Sequence, residues 1–408
     1  MSLGGPPEEQ LMLLPASSPA EASAWGAAAM EYAAAFQTIS FSRDPERVDW
    51  RGYQHVTIVR PSFWSDDLAL LIKQSNPKIN FDTIPVDTPE ALQLVLHVRV
   101  YYGWRFGPRT AFDWARLWPY QRSLIGLHGR SDGELATPDY EVVRSAKLEA
   151  VKLTSHATPA TVERLRQINP NVFILIRPLV DFNQAGGGTR SVSPRDFFDW
   201  TADDLDRLLS YDPSLRYVEI HNEPNVTLEG LTANWADGYE FGQWFLQVLN
   251  LYRRRFPDAL FGFPGLSPGP SSDAVGRFSS ELFIQQAAQA AQQADWVGIH
   301  AYWVNERELS DLSLGLDFAR YRDRFPEKLL FVTEFGNPVE TKRAVADQYG
   351  RYYAMLRHLP GLGAAFAYVC STPDPIESPL WGWRDEAGND VGIAAEIGLR
   401  RYVNDRAA

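Results

Sequence analysis

"EAVKLTSHATPATVERLRQINPNVFILIRPLV", residues 149–180, reads as strand, helix, strand. The first run, 149–155, and the last, 172–180, are short and apolar with almost no alternation. Strands covered by helices on both faces look like this, because neither face meets water. Between them, Thr158-Pro159 opens a helical period that ends near Asn169, so the stretch is one parallel crossover unit.

The same unit recurs on both sides. "LIGLHG" (124–129) precedes it, with a helix from Thr137. After it come "RYVEIH" (216–221), "LFGFPG" (260–265), "WVGIHAY" (296–302), "LLFVTEF" (329–335) and "AAFAYVC" (364–370), each followed by a helical stretch. Eight strands and eight helices predict an α/β fold, a (β/α)8 TIM barrel, for which ~250 residues are typical. An open doubly wound sheet alternates in the same way. The barrel is preferred because the count is eight and no glycine fingerprint for a dinucleotide follows the first strand. "QAGGGTRS" (184–191) follows the third strand and reads as a flexible loop.

Ahead of the barrel, assigned to 116–408, the pattern is different. Residues 1–46 read as a flexible Pro/Gly/Ser-rich N-terminus followed by an Ala-rich helix near 20–37. Residues 47–115 read as a small βαβα unit with strands at "HVTIVRP" (55–61) and "INFDTIPV" (79–86), its role open.

Composition narrows the chemistry. The 408 residues carry a formal net charge of −12, which gives no basic footprint for a nucleic-acid backbone. A single cysteine, Cys370, excludes an intramolecular disulfide and a cysteine metal cluster. The histidines show no ligand spacing, so no metal or cofactor is expected. No apolar run reaches the ~18 residues that span a bilayer, so no membrane span is expected. The N-terminal residues lack the charged and apolar segments of a secretory signal. Oligomeric state is not legible. Thirteen tryptophans suit either core packing or stacking on sugar faces.

Barrel enzymes place their chemistry at the C-terminal ends of the strands. Strand four ends on Asn222-Glu223-Pro224, strand six on His300-Ala301-Tyr302, and strand seven on Thr333-Glu334-Phe335. Strand one carries His128, strand two Lys152, strand three Arg177, and the loop after strand eight Trp381 and Trp383. Two carboxylic acids thus face one mouth from strands four and seven. Glycosidic cleavage needs such a pair, one protonated and one ionised. His221, just before Asn222, reads as facing the helix layer.

In this order, "NEP" after strand four, "HAY" on strand six, "TEFG" after strand seven and the Trp381 loop, the chain resembles the clan A glycoside hydrolases from about 123 to 400. The resemblance implies a (β/α)8 barrel and a retaining hydrolase of β-glycosidic bonds in an oligo- or polysaccharide. It implies Glu223 as general acid/base and Glu334 as nucleophile. Asn222 would bind the sugar 2-hydroxyl, Tyr302 the nucleophile, and His300 would lie near the acid/base. Trp381 would be the stacking platform. His128, outside these motifs, reads either as a contact to sugar hydroxyls or as a surface-loop residue. Many members place an arginine at the end of strand two; here Lys152 stands there, and Arg177 on strand three is the other cation within reach. The resemblance is compatible with an extracellular or cell-envelope location. A carbohydrate-binding barrel without catalysis, and a transglycosylase using the same residues, stand as alternatives. The sugar, and endo against exo action, are not legible.

Overall fold

The structure is a computed structural model. It describes residues 9–36, 38–102, 105, 117–120, 122–182, 188–357, 359 and 361–400. The expected boundary at 115/116 and part of the 184–191 loop lie outside the described residues. The chain divides into two compact units.

The first unit holds β1 (Gln10–Leu13), α1 (Pro19–Phe36), β2 (Ile39–Ser42), β3 (His55–Val59), α2 (Leu68–Ser75), β4 (Asn80–Ile84) and α3 (Pro89–Tyr102). Its four strands form one parallel sheet in the order β2-β1-β3-β4. The N-terminus is therefore not wholly flexible: Gln10–Leu13 is an inner strand, paired on both edges. "QLML" is too short to stand out by periodicity, but Leu11 and Leu13 pack with Val56, Ile58 and Ile72. Burial of that face offsets the cost of ordering the segment. The other face carries polar groups, with Gln10 Nε2 donating to Thr57 at 2.8 Å and Arg99 pairing with Asp82 at 2.6 Å.

The second unit is a closed barrel of eight parallel strands. They are β5 (Leu124–His128), β6 (Ala150–Thr154), β7 (Phe173–Arg177), β8 (Tyr217–Glu219), β9 (Leu260–Phe263), β10 (Trp296–Tyr302), β11 (Leu329–Gly336) and β12 (Leu362–Ala367). The connections carry α4 (Thr137–Ser145), α5 (Pro159–Ile168), α6 (Pro194–Tyr211), α7 (Gly238–Arg255), α8 (Ser280–Gln293), α9 (Glu306–Leu309), α10 (Phe318–Arg324) and α11 (Lys342–Leu356). Short helices α12 (Glu377–Trp381) and α13 (Ile393–Gly398) follow β12. Each predicted strand matches one of the eight, to within a few residues at its ends.

The barrel is filled in layers. Its lower layer is apolar: Ala150, Phe173, Tyr217, Trp296, Phe331 and Phe366 pack together, closed by Trp118. The Trp118 ring meets Phe173 and Phe331 edge-on, with centroids 4.9 and 5.1 Å apart. Above this floor the inward positions become polar. On β6 the sequence of inward residues is Ala150, Lys152, Thr154; on β8 it is Tyr217, then Glu219. The barrel thus turns from oil to charge within one strand, toward its C-terminal mouth.

Candidate active site

Glu334 lies at the centre of the mouth. Parity alone would not put it there. Leu329 and Phe331 face the barrel interior, so Thr333 should follow and Glu334 should face the helices. The pairing of β10 with β11 slips at this point: Ile299 lies opposite Val332, and His300 opposite Glu334. Thr333 is the extra residue of a β-bulge, and the bulge turns Glu334 inward. Phe335 then faces outward, stacked on Trp303 with centroids 5.8 Å apart.

Five groups surround the Glu334 carboxylate, His300 Nδ1 among them at 3.7 Å from Oε2. Lys152 Nζ donates to Oε1 at 3.0 Å and Arg177 Nη1 donates to the same oxygen at 2.9 Å. The Tyr302 hydroxyl donates to Oε2 at 2.7 Å. His128 Nε2 lies 3.7 Å from Oε1. Burial alone would raise the pKa of Glu334, but the Lys152 ammonium, His300 and Arg177 outweigh it and hold it well below the usual carboxylate range. The same burial, with Glu334 beside it, pushes the Tyr302 phenol well above its ordinary value, so it remains a donor. His128 is buried next to Lys152 and Arg177, which drives its pKa well down and keeps it neutral.

Glu223 approaches from the other side. After Glu219 the backbone leaves regular strand geometry, with His221 at φ 79° and Glu223 at φ 36°. Non-glycine residues rarely adopt this region, and the strain is held by contacts on either side. His221 is turned out among Phe182, Phe197, Trp235 and Trp244, and burial there lowers its pKa to about 3. Glu223 is turned back into the mouth, where His300 Nδ1 lies 2.8 Å from its Oε1. One oxygen of Glu223, one of Glu334 and a ring nitrogen of His300 lie within 4.8 Å of one another. Two carboxylates and an imidazole are a donor set for a cation, but Lys152 and Arg177 already neutralise Glu334 from behind.

Asn222 is held at both ends of its amide. Arg177 Nη1 donates to its Oδ1, and its Nδ2 donates to Glu229 Oε1 at 2.9 Å. Trp381, half-buried in α12, meets Tyr302 and Tyr368 edge-on, with centroids 5.3 and 5.7 Å away. Trp383 is fully buried and faces Tyr349, so of the two only Trp381 borders the mouth.

The structure thus brings Glu223, Glu334, Asn222, His300, Tyr302, Trp381, His128, Arg177 and Lys152 to one end of the barrel. It also shows that both cations support Glu334, where the sequence left a choice of one. Three further residues escape a sequence reading. Glu219 is fully buried, and its Oε2 lies 2.7 Å from Lys152 Nζ, so the lysine bridges two glutamates. Burial would raise Glu219, but Lys152 first among the cations holds it low. A Glu at an inward strand position was the available signal. Tyr368 faces His128, with centroids 5.5 Å apart. Glu229, on a single helical turn at Thr227–Glu229, carries no motif at all.

No protein-family profile matches the sequence, and no curated protein does. Among solved structures the chain is similar to a GH128 subgroup II endo-β-1,3-glucanase from Sorangium cellulosum, at 14% identity and TM-score 0.47, covering 67% of this chain and 97% of that one. It is also similar to a glucosidase from Croceicoccus marinus, at 13% identity and TM-score 0.47, covering 69% and 67%. A third is a β-glucuronidase from Faecalibacterium prausnitzii, at 12% identity and TM-score 0.45, where 69% of this chain spans 49% of that one.

Proposed function

We propose that this protein is a retaining glycoside hydrolase of clan A type that cleaves β-glycosidic bonds of an oligo- or polysaccharide. The observation that carries the reading is a carboxylate held ionised by Lys152 and Arg177, with an oxygen within 4.8 Å of one on a second, partly exposed carboxyl group. Retention needs close carboxyl groups, ~5–5.5 Å apart, whereas inversion leaves room for a water at ~6.5–9.5 Å.

Glu334 attacks the anomeric carbon, its attacking oxygen oriented by Tyr302. Glu223 gives its proton to the leaving oxygen. In the second half Glu223 takes a proton from water, the water displaces Glu334, and the sugar leaves with its configuration unchanged. His300, at 2.8 Å from Glu223, is placed to steady that residue through both transfers. Trp381 offers the face on which the sugar stacks. A pure binding barrel has no use for an ionised, doubly supported Glu334 opposite a second acid.

Nucleophile and acid/base are separated by substitution. Glu334→Gln should lower kcat at least ~10³-fold on any glycan the protein cleaves. Glu223→Ala should still release activated aryl groups, and azide should accelerate it by forming the β-glycosyl azide. A Glu334→Gln variant with near-normal turnover would refute the assignment.

A further inference from the structure

Helix α12 (Glu377–Trp381) is five residues long, too short to hold its own shape. Ile376 and Leu380 are 75% and 43% exposed, so its outer side gains nothing from burial. It is held by its ends. At the start, Asp374 Oδ1 accepts from the N–H groups of Ile376 and Glu377 at 2.7 and 3.4 Å, and the Tyr368 hydroxyl donates to Glu377 Oε2 at 3.3 Å. At the end, Lys342 Nζ, from the first residue of α11, donates to Leu380 O at 2.8 Å and to Gly382 O at 3.2 Å. Those two carbonyls stand on either side of Trp381 in the chain. The Trp381 ring lies against the tip of β11, where a Cβ on Gly336 would stand 2.9 Å from it. It also meets Tyr302, whose hydroxyl holds Glu334.

We propose that Lys342 is a positioning residue: its ammonium latches the end of α12 and so fixes the Trp381 ring over the mouth. That the ring there meets a sugar rests on the hydrolase reading above; that Lys342 holds it does not. A cation at a helix C-terminus satisfies carbonyls left without a partner inside the helix, and its charge meets the negative end of the peptide dipoles. The chain is anchored again at Trp383, whose N–H donates to Val369 O at 3.1 Å. Between these anchors Trp381 O accepts from Val369 N–H at a long 3.5 Å, so Lys342 supplies the short tie between Trp381 and the barrel.

The latch has a pH signature. Burial lowers Lys342 to about 8. Glu340 and Arg343 flank it in the chain. On the elements around it, Glu377 is bound by Tyr368 at the far end of α12, Arg384 is paired with Asp139, and Asp385 is bound by Asn389. As pH rises through about 8, Lys342 loses its charge, its hydrogen bonds to the two carbonyls weaken, and the ring gains freedom.

Two readouts test this. The first is fluorine NMR of the protein labelled with 5-fluorotryptophan, the Trp381 resonance being assigned from Trp381→Phe. Between about pH 6 and about pH 10 that resonance should move in the wild type, with a midpoint near 8. Lys342→Met should show throughout the position that the wild type reaches at high pH, and Lys342→Arg the position it holds at low pH, the other tryptophans keeping theirs. A wild-type resonance that does not move, or the same movement in Lys342→Met, overturns the latch. If Lys342→Met does not fold, Lys342→Arg decides: a Trp381 resonance that still titrates in it overturns the latch. The second readout is the rate on 2,4-dinitrophenyl β-D-glucoside near neutrality. Lys342→Met should lower kcat/KM about tenfold, the scale of one hydrogen bond to a charged group, and Lys342→Arg should restore most of it. In a Trp381→Ala background Lys342→Met should cost nothing further, because the two residues act as a unit. Equal losses in both backgrounds would mean a structural role only and would overturn the proposal. A wild type inert to the glucoside, with the Trp381 resonance still titrating, supports the latch and counts against the hydrolase reading for that sugar.

Discussion

Three side chains on three strands hydrogen-bond the Glu334 carboxylate. Lys152 and Arg177 supply the counter-charge, and Tyr302 supplies a neutral donor on the oxygen they leave free. That division sets what each substitution does. Tyr302→Phe keeps the ring against Trp381 and removes only the hydroxyl. Its kcat should fall about 10- to 100-fold with KM little changed, measured by initial rates on an activated glycoside. A variant with wild-type kcat would show that the phenol does not act on Glu334. The nine candidate residues were legible because a barrel lists its chemistry at strand ends. Glu229 was not, because it reaches the site through a turn whose course depends on Gly276 and Ser267, far away in sequence.

At the scale of elements, the strands were legible and their irregularities were not. Apolar runs announce a strand covered on both sides, whatever the side chains do afterwards. The bulge at Thr333 and the left-handed residues His221 and Glu223 leave no trace in composition, yet they aim both acids. "TEFG" and "NEP" were recognised as motifs, while the backbone that makes them work came only from pairing with neighbouring strands. The first strand, Gln10–Leu13, was missed for a related reason: four residues become a strand only when β2 and β3 pair on either side. Two glycines belong to the same machinery. A Cβ on Gly265 would stand 2.1 Å from the His300 ring, and one on Gly298 would stand 2.8 Å from Glu219 Oε1 and 2.9 Å from Gly265 N. Gly298→Ala should therefore cost ~1–3 kcal/mol in a urea titration and lower activity as Glu219 moves off Lys152. Unchanged stability would mean that β8 and β10 have room to part.

At the scale of the molecule, the barrel stores charge above its apolar floor, and that gives its stability a pH slope. Glu219 and Glu334 have folded pKa values below the unfolded value of ~4.3. Their contribution is fully present above about pH 4.3 and is lost as pH falls through the folded values. Lys152→Met removes the cation they share, leaving burial to raise Glu219, and the sign then inverts: stability is lost as pH rises through the raised value. Breaking such a pair costs ~3–5 kcal/mol near neutrality. Thermal melts from about pH 7 down to about pH 4 should show the wild type holding its Tm and the variant regaining some; parallel curves would contradict the buried bridge. The central claim remains the covalent one. Incubation with activated 2-deoxy-2-fluoro glycosides, followed by digestion and mass spectrometry, should find a single fluoroglycosyl ester, on Glu334. An ester on another residue, or none with any fluoroglycoside of a glycan the protein demonstrably cleaves, would contradict it.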